Sequence, residues 1–407
     1  MKEILNIKGF GGIDKLSITL NPQFTLIIGP QTSGKSIVSK LLYFFKSSLV
    51  VSQLMKPLAK NGENANFKDR LKDAFIQIFP KDFWPNTPFS IVYEIANVKF
   101  EISVGINKEL LVEITSSIDL AVNKFLTTYT EYGMDRFDSA SSELYQSLSQ
   151  NGININSQIF IVAGRSYFSE QKDYILPLLA QNPRAFDPIT KDFATMYYSC
   201  RRLLKYSNDE QLDSILARMQ IGSHIVQGED DFFVHKDGRK VEIGYSSSGQ
   251  QEVLPLLVML RTVHNIMETT SAGMTLYIEE PEAHLFPTAQ EVIVDAIAYL
   301  LNKYEGKLQI VVTTHSPYIL NKLTLLIKAK QVSNIVKDNK EKLVQLDSII
   351  PSICHLDCKN LSSYQLKTDG TGSLLNTYDG LPTDYNDLNN LLGESNDIFN
   401  QLMDIEE

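Results

Sequence analysis

Gly29-Pro30-Gln31-Thr32-Ser33-Gly34-Lys35-Ser36 has the glycine spacing and the Lys-Ser ending of a phosphate-binding loop. Its flanks decide the fold. Phe24-Thr25-Leu26-Ile27-Ile28 before it is a short apolar run with β-branched residues and reads as a buried strand. Ile37 to Phe45 after it has the length and apolar spacing of a helix. Strand, glycine-rich turn and helix form the setting in which such a loop works. Gly29 and Gly34 admit torsions that bring amide hydrogens around a β-phosphate, and the helix N-terminus adds a favourable dipole. Lys35 would reach the β/γ-phosphates of ATP, and the Ser36 hydroxyl would ligate Mg²⁺. A glycine turn that ends in Lys-Ser by chance would lack these flanks.

Three later segments extend the reading. Met274-Thr275-Leu276-Tyr277-Ile278-Glu279-Glu280-Pro281 is an apolar strand ending in two carboxylates, and strand C-termini are where ligands sit in open α/β sheets. Glu279 suits the Mg²⁺ shell, although Asp is usual there; Glu280 is placed to polarise an attacking water. Val311-Val312-Thr313-Thr314-His315-Ser316-Pro317 repeats the logic. His315 at its tip can bond the γ-phosphate or orient the water. Ser246-Ser247-Ser248-Gly249-Gln250-Gln251 opens the apolar helix Val253 to Leu260. Serine hydroxyls and free amides at a helix start form an anion site, yet a serine run alone reads as a helix cap.

The ordered set of phosphate loop, Ser-Gly-Gln, Glu-Glu-Pro-Glu-Ala-His and Thr-His-Ser-Pro resembles the ABC-type ATPase heads of the SMC, RecF and OLD group. The resemblance covers residues 1–46 and 240–325, and more weakly the Ala163-Gly164-Arg165 strand. It implies an α/β P-loop head with a mixed sheet and an inserted helical lobe; the long coiled coil of SMC and DNA-repair proteins is not expected, because no heptad run is long enough for one. It makes Lys35 and Ser36 the phosphate and Mg²⁺ contacts, Glu279 and Glu280 the metal-binding and catalytic acids, and His315 the switch histidine. Ser247 and Gly249 fall on the signature loop that reaches a nucleotide held by a second subunit. Glu282-Ala283-His284-Leu285 falls on the loop along the dimer seam. Ser248 replaces the first glycine of the usual signature. Gln158 is the candidate for the Mg²⁺-binding glutamine of the group, and Phe10 for the adenine-stacking aromatic.

At 407 residues with 43% hydrophobic content, the chain can bury a full core. A net charge of −10 argues against wholesale coating of nucleic acid. Cys200, Cys354 and Cys358 form no disulfide framework and fit a reducing cytoplasm. Cys354-His355-Leu356-Asp357-Cys358 has no second ligand cluster to make a metal site. The N-terminus lacks the apolar core of a signal peptide, and no apolar stretch approaches the ~20 residues that span a bilayer. A cytoplasmic protein without membrane contact is expected.

Along the chain, residues 1–28 read as two strands around Gly11-Gly12. Residues 47–115 mix a polar segment, Lys60 to Lys72, with alternating strands at Ser90–Ile95 and Val98–Ile102. Residues 116–150 look helical, Ile159–Ser166 is a buried strand with a polar turn, and 170–220 is helical again. A hairpin turns at Lys236-Asp237-Gly238-Arg239. A helix from about Gln250 and strands at Thr275–Ile278 and Ile310–Thr313 follow. From about residue 323 the chain is polar and acidic, with small strands and a helix near the end. No internal repeat or long heptad run appears. The expected division is an ATPase core at 1–46 and 240–407, with a C-terminal extension, and an insertion at 47–239.

About 90 residues follow His315 without an Asp-x-Asp pair, so the fused nuclease domain of OLD proteins is not expected. What remains is similar to the ATPase subunits of bacterial anti-phage defence systems such as PARIS or Septu. The expected function is an ATP hydrolase, slow and regulatory, forming ATP-sandwiched homodimers or higher homo-oligomers and scaffolding or restraining a separate effector such as a nuclease. The alternative is a DNA-repair or chromosome ATPase. It needs a basic groove from Arg184, Lys191, Arg201, Arg202 and Lys205, charges that a solvated helix face also explains. A transporter's nucleotide-binding subunit fits poorly, given the large insertion and the Glu-Glu-Pro-Glu-Ala-His pattern.

Overall fold

Strands β1 (Glu3–Phe10) and β2 (Ile13–Thr19) pair as a hairpin through Gly11-Gly12 and lead into β3 (Phe24–Ile28). The loop helix, Lys35–Ser47, follows. This is a computed structural model, and it describes residues 2–55, 66–154, 156–171, 174–175, 177, 186–204, 209–227, 230–269, 273–375 and 377–382. Arg184, Lys205, the first part of the Lys60–Lys72 segment and the expected C-terminal helix lie outside the described residues.

Two sheets organise the molecule. The core sheet contains β3, β7 (Ser157–Ile161), β11 (Met274–Glu279), β12 (Leu308–Thr314) and β13 (Leu361–Leu366), all parallel, with β14 (Gly372–Leu374) antiparallel at one edge. Its order is β14-β13-β3-β12-β11-β7. Every residue of β3, β11 and β12 is buried. Strands covered on both faces show no alternation, which is why these three read as unbroken apolar runs. The second sheet is antiparallel, β2-β1-β4-β5-β6, with β4 at Phe89–Ile95, β5 at Val98–Val104 and β6 at Leu110–Ile114. Buried residues alternate along β4 and β5, so one face of this sheet meets the core.

The loop helix touches both sheets. Phe45 stacks on Tyr93 of β4 with ring centroids 5.0 Å apart, while Tyr43 meets Phe160 of β7 and Tyr277 of β11 edge-on. Aromatic pairs of this kind contribute about 0.5–1.5 kcal/mol each beyond area burial. The helix that carries the phosphate loop is therefore anchored at its far end.

Segment 47–239 contributes to both sheets through β4 to β7 and also carries helices. Ser116–Tyr132 packs on Phe137–Gln150 through Phe125, Tyr129 and Phe137. Pro188–Leu203 and Glu210–Ala217 lie further on. A three-stranded sheet of β8 (Ser223–Gln227), β9 (Asp230–Val234) and β10 (Lys240–Glu242) then leads to the serine helix, Ser248–Thr269. That 22-residue helix is the longest among the described residues, which hold no long coiled coil, and the fold is α/β with a mixed sheet.

The C-terminal stretch differs from its polar appearance. Helix Pro317–Ile335 runs straight through residue 323, and Leu361-Ser362-Ser363-Tyr364-Gln365-Leu366 is a core strand beside β3. Ser363 and Gln365 are buried in it. Hydroxyl and amide side chains at those positions hide a strand from an apolarity reading.

Candidate nucleotide site

The parallel register aligns the C-terminal ends of four adjacent strands. Ile28 pairs with Thr314, Thr313 with Glu279, and Ile278 with Ile161. Phosphate loop, His315 tip, Glu279-Glu280 pair and residues 162–165 therefore emerge along one rim, the place where open α/β sheets bind ligands.

Gly34 caps the loop helix in the left-handed region at φ 93°, and a Cβ there would lie 2.7 Å from Ile13. At Gly29 a Cβ would lie 2.5 Å from the Leu366 carbonyl oxygen. Lys35 is 5% exposed and donates to the carbonyl oxygens of Gly29 (2.9 Å) and Pro30 (2.7 Å). Burial lowers its pKa, against the pull of Glu280 and Glu282. The buried Ser33 hydroxyl has no hydrogen-bond partner among the described residues. A cation folded onto its own loop, an orphaned hydroxyl and a helix start suit a polyphosphate.

Glu279 is 4% exposed and faces the loop helix, where Ser39 Oγ donates to it at 3.3 Å and the Ala163 amide at 3.3 Å. Burial raises its pKa, opposed by Lys40 and by hydrogen bonds from Ser36 and Ala163. A desolvated carboxylate touching the Ser36 hydroxyl fits a divalent cation bound between them.

Glu280 has φ 42°, outside the usual range for a non-glycine residue, and its amide donates to Thr313 O at 2.9 Å. Its carboxylate lies 3.6 Å from His315 Nδ1. His315 also sits 3.4 Å from Glu282 Oε1, and its amide donates to that oxygen at 2.8 Å. These imidazole distances make a charge pair rather than well-formed hydrogen bonds. Glu280 foremost, with Glu282, raises the His315 pKa against burial; His315 in turn lowers that of Glu280.

Ser247 and Gly249 lie elsewhere. Ser247 Oγ accepts from the Gln250 amide at 3.3 Å, and Gln250 Oε1 accepts from the Ser247 amide at 3.1 Å, a reciprocal capping box. A Cβ on Gly249 would lie 2.8 Å from His284 O. The Ser247–Gly249 loop thus abuts the Glu282–Leu285 loop of its own chain. Ser247 and Ser248 are exposed, as are the aromatic residues Tyr245 and Phe286, at 85% and 75%.

Two candidates are corrected. Phe10 is fully buried among Phe75, Phe79, Phe83 and Phe89 and cannot stack on a base. Gln158 pairs with Thr275 at the opposite end of β7 from the rim and accepts from Tyr277 Oη at 3.1 Å. Arg201 leaves the supposed basic groove, being 5% exposed and ion-paired with Asp231. Three residues to which sequence reading assigns no role in holding the strand tips together do so here: Glu282, read only as part of a seam loop, Arg165 and Glu252. Glu282 is buried and accepts from Thr314 Oγ1 at 2.6 Å as well as from the His315 amide. Arg165 is fully buried and donates to the carbonyl oxygens of Glu279 (2.7 Å) and Glu280 (3.0 Å). Glu252 accepts from the Arg165 and Ser166 amides at 3.0 and 2.8 Å. Nothing in residue type separates a buried Arg-Glu pair from surface charge.

Residues 138–320 match the model of an AAA ATPase domain. No curated protein gives a significant match. Among solved structures the chain is similar to the SMC head domain from Thermotoga maritima, at 12% identity over 93% of this chain and 99% of that one, with a TM-score of 0.39. It is also similar to the Smc head domain with an extended coiled coil from Pyrococcus furiosus, at 12% over 99% of each, TM-score 0.42. The recombination mediator protein RecF follows, at 12% over 92% and 98%, TM-score 0.31. No helix among the described residues is long and apolar enough to cross a membrane.

Proposed function

We propose that this chain binds and hydrolyses ATP with Mg²⁺ at the rim of its core sheet, as an ABC-type ATPase that closes into a homodimer and regulates a separate effector. One observation carries the proposal: Lys35, Glu279, Glu280 and His315 come from three adjacent strand ends, and Lys35, Glu280 and His315 act electrostatically on one another. Lys35 and the loop amides are suited to the β- and γ-phosphates; Ser36 and Glu279 are the pair for Mg²⁺, which would neutralise phosphate charge. Glu280, kept anionic by His315, is the base for an attacking water. His315, bridging Glu280 and Glu282, holds that carboxylate in place.

The exposed Ser247 loop has no role within its own site, which supports a second copy supplying it in trans. A role in anti-phage defence with a nuclease or other effector as partner rests on the resemblance of the motif order alone, and a cytoplasmic location on the three unpaired cysteines. A direct action on DNA draws no support from Arg201.

The test is Glu280→Gln with saturating ATP and Mg²⁺ in a sedimentation experiment. A stable dimer is expected; a monomer would sink the sandwich reading. Lys35→Ala should show no ATP-dependent thermal shift, where wild type gains about 2.7 kcal/mol at a hundredfold excess over Kd.

A further inference from the structure

The loop after β7 is clamped to the serine helix and to the acidic strand end at once. Arg165 provides the first link. Its guanidinium reaches the backbone oxygens of Val162, Glu279 and Glu280, and it lies 3.3 Å from the Glu252 carboxylate. Glu252 is 1% exposed and closes the circuit by accepting from the Arg165 and Ser166 amides. Both charges are out of water and paired, so neither carries an unmatched buried charge.

Ser169 provides the second link. Pro255 has no N–H, so the serine helix leaves the Gln251 carbonyl without its usual intrahelical donor. Ser169 Oγ donates to that carbonyl at 2.7 Å. A proline that would weaken an isolated helix here opens an attachment point. Gln251 and Glu252 lie two and three residues after Gly249, which is half-buried, and within one and a half turns of the exposed Ser247.

We infer that Arg165 and Glu252 are positioning residues that couple the signature loop of a protomer to the Glu279-Glu280 backbone of the same protomer. The inference rests on the ATPase and dimer reading above. In the dimer, a protomer's signature loop meets the nucleotide held by its partner. A displacement of the serine helix on that contact passes through Glu252 and Arg165 to the protomer's own acids. Each site thereby senses occupancy of the other, and linkage makes the effect reciprocal. Glu280, held at φ 42° with its carbonyl on Arg165, is the element moved.

The experiment compares wild type, Arg165→Lys and Glu252→Gln in steady-state ATP hydrolysis at protein concentrations that saturate the dimer, with nucleotide affinity measured separately by titration. Arg165→Lys keeps the charge but loses the fork that spans the two carbonyls. Glu252→Gln keeps the shape but presents an amide where two donors now point. Wild type should show a Hill coefficient above one. Both variants should fall to one, with kcat lowered about tenfold to a hundredfold and nucleotide affinity within about twofold. A merely structural pair would lower melting temperature and affinity together, leaving the shape of the ATP dependence unchanged. Should Arg165→Lys fail to fold, Glu252→Gln alone decides. Variants with wild-type kcat and wild-type cooperativity overturn the coupling and leave the ATPase reading intact. A wild-type chain that binds no ATP overturns that reading itself.

Discussion

Gly249 faces the carbonyl oxygen of His284 so closely that a side-chain carbon on it would stand 2.8 Å away. The Ser247–Gly249 loop and the Glu282–Leu285 loop are therefore packed backbone against side-chain-free backbone. Gly249→Ala has to push the two apart, because the opposing atom is main chain and cannot rotate away. We expect ATP-induced dimerisation to weaken about tenfold or more while nucleotide binding to the monomer persists. Sedimentation with and without ATP checks this, and an unchanged dimer affinity counts against the seam.

Gly29→Ala should remove nucleotide binding as fully as Lys35→Ala, by a different cause. The new methyl would meet the Leu366 carbonyl at 2.5 Å, so either β13 or the phosphate loop must shift. Overpacking of this kind costs about 1–3 kcal/mol. Lower thermal stability is expected for Gly29→Ala in the absence of nucleotide, together with loss of the ATP-dependent shift. Differential scanning fluorimetry measures both.

His315→Gln should move the acid limb of the kcat–pH profile upward. Glu280 sits below its ordinary value of 4.5 first because of His315. Without the imidazole, burial works against the carboxylate with only Lys35 and Arg165 left to oppose it, so it takes up a proton at higher pH. A limb that stays in place would show that His315 does not set the charge of Glu280.

Asp209 offers a test of stability at a distance from the site. It caps helix Glu210–Ala217 through the Leu212 amide (3.1 Å) and accepts from Tyr299 Oη and Lys303 Nζ, each at 2.9 Å. Burial pushes its pKa up, but these partners prevail and hold it below 3.8. A depressed carboxylate contributes stability that is present above the unfolded value and lost as pH falls through the folded one. Asp209→Asn should therefore cost about 1–3 kcal/mol at pH 5 to 8, and the gap from wild type should close below about pH 4. Denaturant melts across that range decide it.

The strand readings at Phe24–Ile28, Thr275–Ile278 and Ile310–Thr313 hold, the last two inside longer strands, because burial on both faces leaves an apolar run that chain order alone reveals. Strand β13 escaped that signal, since Ser363 and Gln365 are buried polar residues. Phe10 shows the opposite limit. An aromatic beside a phosphate loop has the right chemistry for a base, yet the second sheet and Phe75 enclose it. Gln158 lies in β7 but at the end away from the rim, and which end faces the ligand follows from register.

The sequence by itself determined the phosphate loop, the acidic and histidine strand tips, and the serine-capped helix, because each is a local pattern whose chemistry lies in adjacent residues. Only the tertiary structure decided what holds those pieces together. Arg165 and Glu252 are 87 residues apart, and their charges matter because both are buried at the one place where β7, β11 and the serine helix converge. A local pattern cannot report desolvation, since a charge leaves water only when distant parts of the chain close over it.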